Sequence, residues 1–152
     1  MKAFLDSNVL VYALSPGEDP RQPMARELLA RQAPSAWTLS TQVLAETYNA
    51  LVTRRHYPAK EALAAVNVLA RMHVWVPGAD AVLRALQLAA EHRLSTWDAM
   101  IVQAAVESGC DTLFTEDLQA GRRFGELEIV NPFELRAHEP APNTAKLRVR
   151  RR

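Results

Sequence analysis

Cysteine and glycine are scarce in this chain of 152 residues, and each shortage excludes a class of protein. The one cysteine, Cys110, excludes an internal disulfide and a metal cluster built from several cysteines. Five glycines are too few for a collagen-like or glycine-rich linker chain. Because a chain without disulfides is typical of a reducing compartment, we expect a cytoplasmic protein.

Long apolar runs are missing as well. No stretch of about 18 apolar residues occurs, so we expect no helix that spans a membrane. A short apolar run begins at Ala3, but the polar residues at positions 6–8 interrupt it, which argues against a signal peptide.

The net charge of +1 conceals an uneven distribution. Five of the 18 basic residues follow Pro140, whereas all 17 acidic residues precede it. Residues 1–139 therefore have a net charge of −4, which is not typical of a nonspecific nucleic-acid binder. We predict one domain at residues 1–136 and a basic, disordered tail at residues 137–152.

Short apolar runs alternate with longer segments of helical periodicity. This alternation predicts an α/β fold, a three-layer α/β/α sandwich with a central, mainly parallel sheet. Ligands of such sheets bind beyond the carboxyl ends of the strands. The predicted strands are 3–5, 37–39, 74–76, 112–115 and 128–130, and the predicted helices are 8–14, 21–32, 41–56, 58–72, 79–92 and 96–108. In the fourth helix, Leu63, Val66 and Leu69 are expected to face the core.

Four acidic residues are expected at this carboxyl edge. Asp6 directly follows the first strand, and Asp117 follows the fourth strand by two residues. Glu46 and Asp98 lie in the first two turns of helices that begin after Ser40 and Ser95. Converging carboxylates repel one another, and a divalent cation relieves that repulsion. Oxygen ligands without a His or Cys cluster favour Mg²⁺ or Mn²⁺ over Zn²⁺.

Each acid also has a purely structural interpretation. Asp6 is a suitable N-cap for the helix after it, and the spacing of Ser95 and Asp98 fits a capping box. Asp117 fits a polar turn, and Glu46 fits a solvated helix position. The case for a functional site therefore depends on all four acids meeting at one sheet edge.

The segments around these acids resemble PIN-domain ribonucleases, in particular the VapC-type toxins of bacterial toxin–antitoxin pairs. The likeness spans about residues 2–135. Four matches occur in order: residues 5–12 (LDSNVLVY), Glu46, residues 95–101 (STWDAMI) and residues 109–118 (GCDTLFTEDL). Ser7 stands where threonine is more usual, and the hydroxyl is retained.

The resemblance implies a PIN-like fold and Mg²⁺- or Mn²⁺-dependent hydrolysis of RNA by an endoribonuclease. It implies that metal ions clamp a phosphate and activate a water for in-line attack. It also implies a cognate antitoxin and a homodimer. The metal-site and catalytic roles pass to Asp6, Glu46, Asp98 and Asp117, and Thr115 is expected to orient a ligand or a water.

Two other functions remain open on the same fold. One is a noncatalytic domain that binds RNA or a partner protein, and the other is a nuclease that acts on DNA. Substrate contacts also have two interpretations. Trp97 is a candidate for base stacking or for core packing. Four arginines are candidates for phosphate contact or for a solvated surface: Arg54, Arg55, Arg122 and Arg123.

Overall fold

A computed structural model describes residues 1–134. The predicted tail at residues 137–152 and its boundary at residue 136 lie outside the described residues. In residues 1–134, no helix has the length and apolar character needed to cross a membrane.

Strands and helices alternate along the chain, as predicted, and most helices occupy the predicted segments. The strands are β1 (Ala3–Leu5), β2 (Trp37–Ser40), β3 (His73–Trp75), β4 (Thr112–Phe114), β5 (Arg123–Phe124) and β6 (Leu127–Val130). The helices are α1 (Ser7–Leu14), α2 (Arg21–Ala30), α3 (Thr41–Thr53), α4 (Ala59–Leu69), α5 (Ala79–His92) and α6 (Thr96–Glu107), with a short 3₁₀ turn at Pro34–Ala36.

The strands form one sheet in the order β3-β2-β1-β4-β6-β5. All pairs are parallel except β5 and β6, which form an antiparallel hairpin. The chain moves from β1 towards β3 and then returns to β4 on the other side of β1. The sheet order therefore reverses between β1 and β4, which is where open α/β sheets bind ligands.

The helices form two layers around the sheet. Helices α1 to α4 pack against one another, and α5 packs against α6. Right-handed crossovers place α1–α4 on one face and α5–α6 on the other. The predicted α/β/α sandwich is therefore confirmed. Its core includes the fully buried side chains of Leu5, Leu39, Leu113 and Ile129 from the four central strands of the sheet.

Two predictions about local structure are wrong. The two-residue strand β5 was not predicted, because it is too short to show an alternating pattern. Leu63 does not face the core but is 54% exposed. The buried residues of α4 are Ala62 and Leu69, which are seven positions apart and lie on one face of a helix. Leu63 follows Ala62 directly and is rotated about 100° away from that face.

Candidate active site

The site begins where β1 and β4 end. These strands are parallel neighbours, with Leu5 paired to Phe114. The next residues, Asp6 and Thr115, therefore leave the sheet side by side. The Asp6 backbone nitrogen donates to the Phe114 carbonyl oxygen over 3.1 Å, which extends the pairing by one residue. Sheet geometry thus brings together two residues that are 109 positions apart in sequence.

Asp6 is the most buried of the four acids and is only 5% exposed. Its carboxylate accepts hydrogen bonds from the Ser7 backbone nitrogen over 2.7 Å and from the Thr115 hydroxyl over 2.8 Å. Burial raises the Asp6 pKa from 3.8 to about 6, and the nearby Glu46 and Asp117 carboxylates add to the increase. The two hydrogen bonds oppose this increase. Asp6 also caps α1, so its structural and functional interpretations are compatible.

Asn8 joins the two sides of this sheet edge. Its amide nitrogen lies 3.0 Å from Oδ2 of Asp117, 3.1 Å from the Thr115 hydroxyl oxygen and 3.4 Å from Oδ2 of Asp6. The Thr115 hydroxyl also accepts from the Asp117 backbone nitrogen over 3.1 Å. Thr115 is fully buried and does not line the cavity at this edge. From this buried position, its hydroxyl holds the Asp6 carboxylate and the backbone of Asp117 in place.

Glu46 reaches the same edge from α3. Ser40 starts α3 as its N-cap and accepts from the Val43 backbone nitrogen over 3.3 Å. One turn further along, Oε2 of Glu46 accepts from the Ser7 hydroxyl over 3.1 Å, and Oε1 accepts from the Gln42 amide over 2.8 Å. Ser7 therefore connects Glu46 to Asp6, because its hydroxyl donates to Glu46 and its backbone nitrogen donates to Asp6, and Gln42 fixes the rotamer of Glu46.

Asp98 lies in the first turn of α6. Ser95 caps this helix by accepting from the Asp98 backbone nitrogen over 3.1 Å, as the sequence predicts. The Asp98 side chain remains free to line the cavity with Asp6, Glu46 and Asp117. The predicted convergence of the four acids on one cavity is therefore observed.

The four acids supply only carboxylate oxygens, a donor set that suits Mg²⁺ or Mn²⁺. Within residues 1–134, however, no three Asp, Glu, His or Cys side chains stand close enough together to hold an ion as they are arranged. The Asn8 amide separates Asp6 from Asp117, and the Ser7 hydroxyl separates Asp6 from Glu46. These side chains would have to change rotamer to bring their oxygens to one centre. The donor chemistry and the mutual repulsion at Asp6 fit a divalent cation.

A second network supports the segment that carries Asp117. The Tyr12 hydroxyl donates to Oε1 of Glu116 over 2.6 Å, and Arg21 pairs with Oε2 of Glu116 over 3.3 Å. The Arg21 guanidinium lies 4.3 Å above the Tyr12 ring and also pairs with Asp19. Burial and the neighbouring Glu116 raise the Tyr12 pKa to about 12, so the phenol stays protonated and keeps donating.

Sequence reasoning missed Asn8, Gln42 and Tyr12 as members of the site. Gln42 was detectable, because it precedes Glu46 by four residues and this spacing places two side chains side by side on a helix. Tyr12 and Glu116 are 104 residues apart, and their contact has no local signal.

The candidate substrate contacts fall into two groups. Arg54, Arg55 and Trp97 line the cavity. Arg122 instead donates to the His92 carbonyl oxygen, and Arg123 pairs with Glu128. Trp97 is 64% exposed, so its interpretation as a core residue is wrong.

Comparisons with known proteins agree with this architecture. The PIN domain family model matches residues 3–124. No curated protein matches the chain in sequence.

Several solved structures share the fold. The Mycobacterium tuberculosis toxin VapC20, described as cleaving the sarcin-ricin loop, matches with a TM-score of 0.64 at 24% identity, covering 76% of this chain and 91% of that one. A toxin–antitoxin complex from Klebsiella pneumoniae matches with a TM-score of 0.66 at 18% identity, covering 86% and 97%. VapBC-1 from nontypeable Haemophilus influenzae matches with a TM-score of 0.63 at 18% identity, covering 88% and 99%.

At these identities the solved structures establish the fold alone, while the family model covers most of the described chain and its matched segment contains all four acids. This chain belongs to the PIN domain family.

Proposed function

We propose that the protein is a divalent-metal-dependent endoribonuclease that hydrolyses RNA phosphodiester bonds and acts as the toxin of a toxin–antitoxin pair. One observation carries the proposal: Asp6, Glu46 and Asp98 share a single cavity with Asp117 at the point where the sheet order reverses. Clustered carboxylates without a basic partner destabilise the folded protein. In a metal-dependent nuclease they have a function, because they bind the metal ions that promote hydrolysis.

Mg²⁺ or Mn²⁺ would be held by Asp6, Glu46, Asp98 and Asp117. The bound metal would supply Lewis acidity towards the phosphodiester and a more acidic water. The protein's own side chains hold the acids and orient them towards the cavity. Because Asp6 is the most buried acid, its charge is the one that most needs a cation.

Three uncharged side chains set the positions of the acids. The Thr115 hydroxyl donates to Asp6 and fixes the start of the turn that carries Asp117. The Asn8 amide spaces Asp117 from Asp6, and the Ser7 hydroxyl orients Glu46. A carboxylate held by such donors loses little conformational freedom when a ligand binds, which favours a preorganised site.

The biological part of the proposal draws on the structural relatives. Several are toxin–antitoxin complexes, among them VapBC2 from Rickettsia felis bound to a DNA fragment from its promoter. By analogy we propose a cognate antitoxin, a homodimer and a cytoplasmic location for this protein. Leu63 and Val68 on α4 are exposed apolar side chains that a protein partner would cover.

The first test is cleavage of mixed structured RNAs by purified protein with Mg²⁺ or Mn²⁺, and with EDTA in place of the metal. Asp98→Asn is the matched variant, because asparagine keeps the shape of the side chain and removes its charge. We expect cleavage by the wild-type protein only with metal, and a large loss in Asp98→Asn at equal thermal stability.

Different failures point to different functions. Cleavage of single-stranded DNA but not of RNA would indicate a DNA nuclease. No cleavage and no stabilisation by metal would indicate a noncatalytic binding domain. Expression of the wild-type protein in bacteria tests the role as a toxin: growth should stop, and Asp98→Asn should restore it.

A further inference from the structure

Trp97 is an exposed aromatic side chain at the rim of the acid-lined cavity. It is 64% exposed, whereas Trp37 is 1% exposed. An exposed indole forgoes the hydrophobic stabilisation that its large apolar surface would give in the core. Its ring is therefore available to a ligand in the cavity that it lines.

The backbone of Trp97 is held in place beside the acids. The Gln42 amide donates to the Trp97 carbonyl oxygen over 3.2 Å and to Oε1 of Glu46 over 2.8 Å. On the other side, the Ser95 cap fixes the backbone at Asp98. The backbone that carries the indole is thus fixed next to Asp98 and linked through Gln42 to Glu46, as a preorganised contact requires.

Helix α3 connects Trp97 to a basic residue at the opposite end of the cavity. Glu46, Asn49, Ala50 and Arg54 all line the cavity, and their spacing places them on one side of a helix. Gln42 contacts Trp97 at the start of α3, and Arg54 follows its last residue. At 1.5 Å per residue, Gln42 and Arg54 are about 18 Å apart along the helix axis. Glu46 lies between these two ends of α3, and Asp98 directly follows Trp97 at the aromatic end.

The basic end has a charge available for a ligand. Arg54 is exposed, and within residues 1–134 no salt bridge involves its side chain. The neighbouring Arg55 lies 5.4 Å from the Tyr12 ring and also lines the cavity. An arginine pair at this end is suited to a phosphate.

We propose that Trp97 stacks on an unpaired base of the substrate strand, which lies along α3 with its reactive phosphodiester at the acids and a further phosphate at Arg54. This inference rests on the proposed function and names the form of substrate that its site takes. Aromatic stacking combined with basic contacts to the backbone is how proteins hold single-stranded nucleic acid. A base within a duplex has no free face to offer. An apolar protein segment is a poorer fit, since the cavity that Trp97 lines is also lined by the carboxylates of Asp6, Glu46, Asp98 and Asp117.

The test measures binding and cleavage separately. Binding of labelled single-stranded RNA is measured by fluorescence polarisation with Mg²⁺ in the Asp98→Asn background, where the strand stays intact. We expect Trp97→Ala to weaken binding roughly 5- to 150-fold and Trp97→Phe to weaken it less. Val76→Ala is the matched control, because Val76 is 69% exposed but does not line the cavity, and it should bind normally.

Abasic oligonucleotides identify the base. Removal of one particular base should weaken binding as much as Trp97→Ala does, and it should have no further effect in the Trp97→Ala variant. Annealing the strand to its complement should abolish the contribution of Trp97. In the cleaving protein, Trp97→Ala should raise KM by a similar factor and leave kcat nearly unchanged, because the indole does not touch the reacting atoms.

The outcomes separate this inference from the proposed function. Cleavage with wild-type KM in Trp97→Ala, and an equal response to every abasic position, would overturn the role of Trp97 and leave the nuclease proposal standing. Binding that depends on Trp97 without any metal-dependent cleavage would support the stacking site and overturn the nuclease. A Trp97→Ala variant that loses only a protein partner would assign Trp97 to a protein interface and overturn the inference.

Discussion

Asn8 and Asp117 are 109 residues apart in sequence, yet the Asn8 amide nitrogen lies 3.0 Å from Oδ2 of Asp117. The same nitrogen lies 3.4 Å from Oδ2 of Asp6. An amide that donates to two carboxylates lowers their repulsion while no cation is present. Asn8 therefore partly replaces the ion that we propose for this site, and its substitution tests that relationship.

We expect Asn8→Asp to destabilise the metal-free protein by roughly 1–3 kcal/mol, because a donor is replaced by a third carboxylate between Asp6 and Asp117. Asn8→Ala removes the donor without adding charge, so it should destabilise the metal-free protein less than Asn8→Asp does. Mg²⁺ or Mn²⁺ should raise the melting temperature of Asn8→Asp more than that of the wild type. Thermal unfolding in EDTA and in metal measures these differences. Equal stability of Asn8→Asp and Asn8→Ala in EDTA would contradict the expectation.

The metal-free protein should lose stability as pH rises through the titration of Asp6. Burial raises the Asp6 pKa from 3.8 to about 6 in the folded state, so folding favours the protonated acid. The free energy of unfolding should therefore fall between about pH 4 and pH 6, by roughly 3 kcal/mol for a shift of this size.

Asp6→Asn isolates this effect from other titrations, because asparagine cannot ionise and remains a good N-cap for α1. Urea unfolding of both proteins in EDTA should show the variant to be more stable at pH 7 and to lose that advantage near pH 4. Addition of Mn²⁺ at pH 7 should raise the free energy of unfolding of the wild type but not that of Asp6→Asn. A stability difference independent of pH would show that the Asp6 charge is not the cause.

Ser7 should matter through its hydroxyl alone. Ser7→Ala removes the hydrogen bond to Glu46, which is 3.1 Å long and involves a charged acceptor. Such bonds contribute about 1.5–3 kcal/mol, so we expect cleavage to slow roughly 10- to 100-fold. Ser7→Thr retains the hydroxyl and should remain within a few-fold of the wild type. Single-turnover cleavage rates measure both, and a wild-type rate for Ser7→Ala would remove Ser7 from the site.

Most elements and the approximate ends of the strands were predictable from the sequence because their signals are local. Asp6 and Thr115 follow short apolar runs, and Ser40 and Ser95 are standard N-caps, so the edge that carries the acids followed from parallel-sheet geometry. The hydrogen bonds between the acids and their supports were not predictable. Whether the Asn8 amide reaches Asp117 depends on side-chain rotamers and on the register of two distant segments.

The sequence also did not allow us to predict which apolar side chains are exposed to solvent. A helix as short as α4 has small apolar residues on several sides, so its sequence does not distinguish the buried Ala62 from the exposed Leu63. The same ambiguity affected Trp97, since an aromatic residue in the first turn of a helix can lie either in the hydrophobic core or at the rim of a cavity.

The contact between Tyr12 and Glu116 should stabilise the segment that carries Asp117, and a double-mutant cycle tests it. Tyr12→Phe keeps the ring beneath Arg21 and removes the 2.6 Å hydrogen bond to Glu116, which should lower the free energy of unfolding by roughly 1–3 kcal/mol. In a Glu116→Gln background the acceptor is neutral, so the same change should cost less. Urea unfolding of the four proteins should yield a coupling energy on the order of 1 kcal/mol. Additive effects would show that the phenol and the carboxylate do not stabilise each other.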